Sequence, residues 1–577
     1  MISSSSHNPR HNAGGRFHNF NLAGFLSLLG VSSSYNAHTI FIEVLGGLSM
    51  FLSWIYVMGP AGVQGWQAGV CPTCMEQGVF ANITSSKGFT LEQYRAIPAT
   101  TALAAGICSM FMAFMGNMPI AVSPGVTTIA FGTLAQQVTL PGAQAAVLIV
   151  GLTVLIFALA SRQTHFLTYV PEDYRLGVAA GKGGSIILVA LRNMGLVSAT
   201  TTSFNAYFDY NVVLSVFGVA IVALLHSRDL GHISYIVSFA TLTLVSLAIR
   251  AAQNNDSILT LPGGMMPNIG ALAGTPDFSV WTSQNAGYEV FSFWIGQSIQ
   301  VITDMVVTVT AIILVAVMSD LGYNKETFVN ILGDSSKMVW IFASVGLCNV
   351  IVMPFLGLGP STTFIQSMIA VALGARTGLA AFVFAVLCLL TAVVAVPVVT
   401  IVPACACASI AFVGCLPVVQ GLKHVDYRKL AWWSPALMAF FLITLTSSVV
   451  DGTAYSFMTL CLIWVFGSHW DSFSPQMFGT LAMFVVYPVQ ETNLVTTTAG
   501  LGVVLGGAVI LTVIASVVMP ATGRFKTFSS SKNSSHTSKN KIVQDKGTRD
   551  SMSPKTIVVS LPESHQSNDA TAGVLGA

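Results

Sequence analysis

Charge is what this sequence has least of. Lys, Arg, Asp and Glu make up 8% of its 577 residues, against about 25% in soluble domains. A soluble enzyme or binding module is therefore excluded. Eleven His are present, all in tails, loops or helix ends, which argues against a histidine proton relay. No basic run is interleaved with aromatics, so no nucleic-acid surface is expected. No glycine-rich phosphate loop, haem motif, hydrolase elbow or metalloprotease pattern appears. An enzyme is disfavoured, and no cofactor or metal is expected. Of nine Cys, only Cys71 and Cys74 share an exposed loop. Outside the cell they would close a short disulfide, and that loop offers too few other ligands for a metal.

What is present is apolar. Hydrophobic residues reach 53% and mean hydropathy is +0.73. Apolar segments recur, each near the ~20 residues that span a bilayer. The net charge of +2 points to no partner. The expected fold is an all-α polytopic membrane protein of about fourteen spans. Residues 1–38 and 521–577 read as disordered cytoplasmic tails. A first seven-span repeat occupies 39–251, an extracellular loop 252–288 and a second repeat 289–470. Residues 471–520 form an extra hydrophobic hairpin. Lys and Arg gather in the loops that place both termini inside, among them Arg162, Arg175, Arg228, Lys325, Lys337, Lys423 and Arg428. The sequons at Asn82 and Asn255 then fall outside, as glycosylation requires.

Two spans are poor helices. Leu356–Gln366 carries Gly357, Gly359 and Pro360, then Ser361, Thr362, Thr363, Phe364 and Gln366. Pro lacks an N–H and Gly costs helix entropy. Backbone groups freed in hydrocarbon must be satisfied by protein or line a cavity. The third span breaks in the same way at Pro124-Gly-Val-Thr127-Thr128, 236 residues earlier. Tyr169-Val-Pro171 and Ile401-Val-Pro403 repeat at 232. Two landmarks at nearly one offset argue for two seven-span halves, and an odd number of spans inverts them. Inverted repeats meeting at broken helices are secondary-transporter architecture.

Few charges lie within spans, and such charges are functional candidates. Asp304 leads. Gln297, Gln300, Asp304 and Thr308 share one face of the eighth span. Burial disfavours a lone carboxylate's charged form, so Asp304 is expected to exchange a proton; the bland alternative is a structural Asp bonding a broken helix. Lys182, in Ala-Gly-Lys-Gly-Gly, pairs with a carboxylate or snorkels, a structural role in either case. Glu43 reads as interfacial, and Asp451 as the cap of a hairpin. Gln366 suits the amide edge of a planar heterocycle or a second helix equally well. Phe131 and Phe364 follow the two breaks, where a flat ligand would stack, although packing is the commoner role.

Asn117-Met-Pro-Ile-Ala-Val-Ser-Pro-Gly, Pro171-Glu-Asp-Tyr-Arg-Leu-Gly with Leu191-Arg-Asn-Met-Gly, Gly359-Pro-Ser-Thr-Thr-Phe-Ile-Gln-Ser, Ala375-Arg-Thr-Gly and Val450-Asp-Gly-Thr occur in this order. Together they resemble the nucleobase–cation symporter-2 (nucleobase–ascorbate transporter) family, nearest its adenine/guanine/hypoxanthine permease branch. The resemblance implies two inverted seven-span repeats arranged as core and gate domains. It implies uptake of purine nucleobases, adenine/guanine/hypoxanthine or xanthine, by proton symport with an elevator-type movement. It places substrate at Asp304, Gln366, Phe131, Ser361, Thr362, Thr363 and Thr308, with proton coupling at Asp304. The chain departs from the branch in having Gln366 for Glu and no second Asp after Asp304. The implied partners are the nucleobase, protons and the bilayer of the plasma membrane, with a homodimer left open. An anion transporter of the sulfate/bicarbonate type and a non-transporting receptor or scaffold are the alternatives; the first gains if Lys182 faces the pocket.

Overall fold

The computed structural model describes residues 22–31, 36–56 and 91–466, the last except for 126–130, 133, 136, 165–170, 198–209, 229, 254–267, 280–283, 319–334, 396–397, 399–400, 429 and 447. Cys71, Cys74, Asn82, Asn255, Thr127, Thr128 and the 471–520 hairpin lie outside the described residues.

The first half comprises α1 (Leu22–Leu28), α2 (Ala37–Tyr56), α3 (Leu91–Phe111), β1 (Val122–Pro124), α4 (Leu140–Thr164), α5 (Glu172–Asn193), α6 (Tyr210–His226) and α7 (Gly231–Ala252). The second comprises α8 (Gln284–Met318), α9 (Ser335–Ile351), β2 (Ser361–Thr363), α10 (Ser367–Leu373), α11 (Gly378–Val393), α12 (Ala404–Gln420), α13 (Leu430–Thr446) and α14 (Val449–Phe466). Seven of these helices are long and apolar enough to cross a membrane, and five shorter ones are apolar. The chain is a multi-pass membrane protein.

The two halves pack by exchange. α3 lies on α11, and α9 on α4; α2 lies on α11, and α8 on α4. α5 lies on α13, and α12 on α6. α6 packs with α7 as α13 does with α14, and α5 packs directly on α12. These are the contacts of an inverted repeat, with α2–α7 related to α8–α14. The first four spans of each half form one bundle, and the last three of each form a second. Along the seam between the bundles, α5 meets α8 and α12 meets α2. Close approach within the second bundle needs small residues: a Cβ at Gly177 on α5 would overlap the Ala436 carbonyl on α13.

Two segments differ from the sequence reading. Leu22–Leu28, inside the stretch read as a tail, is helical. Leu29 and Val31 are buried with Ala113 and Leu379, and Phe25 meets Phe114 and Phe382 edge-on. Glu43 is not interfacial but fully buried. Its Oε1 accepts the Arg376 and Thr377 N–H groups, at 2.8 and 3.0 Å. These are orphan donors at the start of α11, where a carboxylate is favoured.

The loop between the halves is anchored to the first bundle. Gln144 Nε2 donates to Leu272 O at 3.3 Å, Gly274 N to Phe355 O at 3.3 Å, and Asp277 N to Pro141 O at 3.0 Å. Leu272 is completely buried. Ser279 donates to both Asp277 carboxylate oxygens and holds that group below the usual carboxylate range.

Candidate functional site

The two interrupted spans meet as an antiparallel pair of three-residue strands, with Val122 opposite Thr363, Ser123 opposite Thr362 and Pro124 opposite Ser361. All six residues are buried. Each break leaves helix N–H and C=O groups unpaired, and the pairing supplies partners across the halves. Antiparallel pairing has a local twofold axis, as an inverted repeat requires. Phe364 N donates to Ala121 O at 2.8 Å, and the Ser367 hydroxyl accepts from Ala121 N at 2.9 Å.

Neighbouring helices hold this pair. On the α9 side, Asn349 Oδ1 accepts from Ser361 N at 2.6 Å and Ser361 Oγ at 2.9 Å, while Nδ2 donates to Ser361 O at 3.1 Å. On the α3 side, Ser109 Oγ accepts from Val122 N at 3.0 Å and donates to Val122 O at 3.1 Å. Trp54 of α2, fully buried, donates from Nε1 to Ser123 Oγ at 2.8 Å. None of these supports was picked out from the sequence. The usable signal for Asn349 was an amide inside the apolar run Val345-Gly-Leu-Cys-Asn-Val350.

Asp304 and Thr308 of α8 face the pair. Thr308 Oγ1 lies 3.4 Å from Thr363 O, and Thr363 Oγ1 lies 3.4 Å from Asp304 O. Lys182, halfway along α5, reaches across the seam: Nζ is 2.8 Å from Asp304 Oδ1 and 3.4 Å from Thr308 Oγ1. The residues are 7% and 8% exposed. Lys182 does pair with a carboxylate, and that carboxylate is the leading site candidate. The result is a compensated charge pair, with Asp304 Oδ1 already engaged. Gln366 is completely buried where β2 runs into α10, and α10 packs on α8. Phe131 is completely buried in the same cluster as Met305 and Ile365. Ser361, Thr362 and Thr363 form β2 itself. Gln297, two turns before Asp304, is buried with Oε1 lacking a hydrogen-bond partner. The candidates thus gather around two broken helices, on donors and acceptors rather than on a nucleophile–base set. Among the described residues no group of three or more His, Cys, Asp or Glu could hold a metal.

Paired broken helices with an intramembrane charge pair define a membrane permease. No family model matches the chain. Curated relatives do. It is 24% identical to a putative permease of Methanocaldococcus jannaschii, over 74% of this chain and 90% of that protein. It is 24% identical to adenine permease AdeQ of Escherichia coli, over 78% and 93%. It is 25% identical to guanine/hypoxanthine permease PbuG of Bacillus subtilis, over 77% and 95%. Among solved structures, a cyanobacterial bicarbonate transporter's transmembrane domain aligns with 72% of this chain and 98% of its own at a TM-score of 0.40, with 14% identity. The chain is thus similar to adenine and guanine/hypoxanthine permeases along most of its length, at 24–25% identity.

Proposed function

We propose that this permease carries purine nucleobases, in the plasma membrane, with both termini cytoplasmic. The observation that carries the site is Asp304 beside the paired breaks. A buried carboxylate accepts from ring or exocyclic N–H groups, and the ammonium beside it donates to a ring nitrogen or carbonyl. Adjacent donor and acceptor are what the edge of a planar base presents. Gln366 is the second anchor, and the β1–β2 backbone closes the site. Relatives that are named adenine and guanine/hypoxanthine permeases, and that align over most of their length, support the substrate class. The division into two bundles with the site at their seam supports an elevator-type movement of the first bundle against the second. An anion carrier of this architecture would need net positive charge at the site, and Lys182 spends its charge on Asp304.

The test is uptake of labelled adenine, hypoxanthine, xanthine and uracil at two pH values, with Asp304→Asn and Gln366→Glu beside wild type. Saturable purine uptake that Asp304→Asn abolishes is expected. Uptake of none of the four bases sinks the reading.

A further inference from the structure

A carboxylate at the middle of the spans has to be neutralised as the carrier cycles, because an uncompensated charge there is costly. A symporter can do this with a proton taken from solution. In this chain the neutralising charge is covalently attached. Lys182 Nζ stands 2.8 Å from Asp304 Oδ1, both residues are nearly buried, and Thr308 is the ammonium's second neighbour. Lys182 is set between Gly181 and Gly183, which let α5 approach its neighbours closely: a Cβ at Gly181 would touch Ala439 and Ile443 of α13, and one at Gly183 would touch Val418 of α12. Packed this way, the Lys182 side chain is only 9% exposed, and its ammonium is held beside the carboxylate.

We infer that Lys182 takes the place of a coupling proton at Asp304, so that base flux follows the base gradient alone. The inference rests on the nucleobase-permease reading above. Lys182 belongs to the second bundle and Asp304 to the first. A flexible four-carbon stem lets the ammonium follow Asp304 as the seam shifts. It also lets the ammonium yield part of its hydrogen bonding to an incoming base without leaving the carboxylate bare.

Among the described side chains, the other charged groups on elements packed against α5 and α8 are Glu172, Asp173, Arg175 and Arg192 at the ends of α5, Glu289 near the start of α8, Lys423 and His424 after α12, and Asp451 on α14. Weaker titratable groups there are Tyr174, Tyr455, Cys405, Cys407, Cys415 and Cys461. Among the described residues, none of these makes a hydrogen bond or ion pair with Lys182 or Asp304. Among the described residues, the cation of Lys182 is the charged group that bonds Asp304.

The experiment is entry of labelled hypoxanthine and adenine into proteoliposomes of the full-length protein, with and without an inward proton gradient, the membrane potential being clamped. Wild type is expected to fill the lumen only to the external concentration, at the same rate with or without the gradient. Lys182→Arg keeps a cation beside Asp304, so its entry, whatever its absolute rate, should be as indifferent to the proton gradient as that of wild type. Lys182→Met leaves Asp304 to find a proton, so its rate should rise with external acidity toward about tenfold per pH unit, the limit for one proton bound. Adding Asp304→Asn to Lys182→Met should abolish entry at every pH, as Asp304→Asn does alone. Accumulation by wild type above the external concentration, collapsing with a protonophore, overturns the inference while leaving the permease reading intact. So does a Lys182→Met carrier as indifferent to pH as wild type. If Lys182→Met does not fold, the wild-type gradient arm decides alone. Entry of neither base into wild-type vesicles overturns the permease reading itself.

Discussion

Replacing Asn349 by Ala should weaken the site more than any single loss of a packing contact nearby. Asn349 is fully buried and makes three hydrogen bonds to Ser361, to its N–H, its carbonyl and its hydroxyl. Ser361 is itself fully buried at the end of β2, opposite Pro124. Pro124 has no N–H, so it cannot donate to the Ser361 carbonyl. Asn349 is therefore the donor that carbonyl has. A net hydrogen bond is worth about 1 kcal/mol, and a buried group left unsatisfied costs about 1–3 kcal/mol. Three groups orphaned together give roughly 3–9 kcal/mol, less whatever a water entering the space left by the side chain restores. The assay is thermal unfolding of the purified protein in detergent, beside base uptake. Asn349→Ala should unfold well below wild type, and any folded fraction should bind base weakly because β2 is no longer fixed. Ser109→Ala, which removes two bonds to Val122 on the other strand, should show a smaller loss of the same kind. An Asn349→Ala protein with wild-type melting and wild-type apparent affinity would refute the reasoning.

Gly357 has φ of +68°, and a Cβ there would overlap the Leu272 carbonyl. Gly357→Ala should thus cost about 1–3 kcal/mol from backbone conformation alone, and should expose residues 268–279 to protease. Glu43→Ala removes the acceptor for two N–H groups at the start of α11 and should lower stability by roughly 1–3 kcal/mol per orphaned donor. Glu43→Gln keeps an oxygen in place and should stay close to wild type in the same melt. Trp54→Phe loses only the bond to Ser123, about 1 kcal/mol, because Ser123 still donates to Pro124 O; uptake should persist with a modest fall in melting temperature.

Local chemistry made the breaks legible in the sequence. Pro124, Gly359 and Pro360 cannot sustain helical hydrogen bonding, so the interruptions could be placed to within a residue or two. Asp304 was legible because a carboxylate on a polar stripe stands out in an apolar span. The repeat was legible from two Pro-centred landmarks, and the exchanged packing of α3 on α11 and α9 on α4 agrees with it. Partnerships across the fold were not legible. Periodicity says which residues share a face, but not which helix that face meets. Lys182 and Asp304 are 122 residues apart, and Trp54 and Ser123 are 69. Glu43 misled because its distance from the end of a span suggested the interface, whereas the start of α11 is folded over it. The segment at 22–31 was hidden by the Ser- and Asn-rich sequence around it, although Phe25, Leu26, Leu28 and Leu29 form an apolar face.

The central claim is that a nucleobase binds beside Asp304 where the two broken helices pair. Counterflow of labelled hypoxanthine and adenine into proteoliposomes preloaded with the unlabelled base measures this directly, because it needs binding and exchange but no driving ion. Wild type should take up label far above a liposome blank, and Asn at position 304 should abolish the signal in protein that still melts cooperatively. Wild-type-level counterflow with Asp304→Asn, or none by folded wild type, would contradict the account.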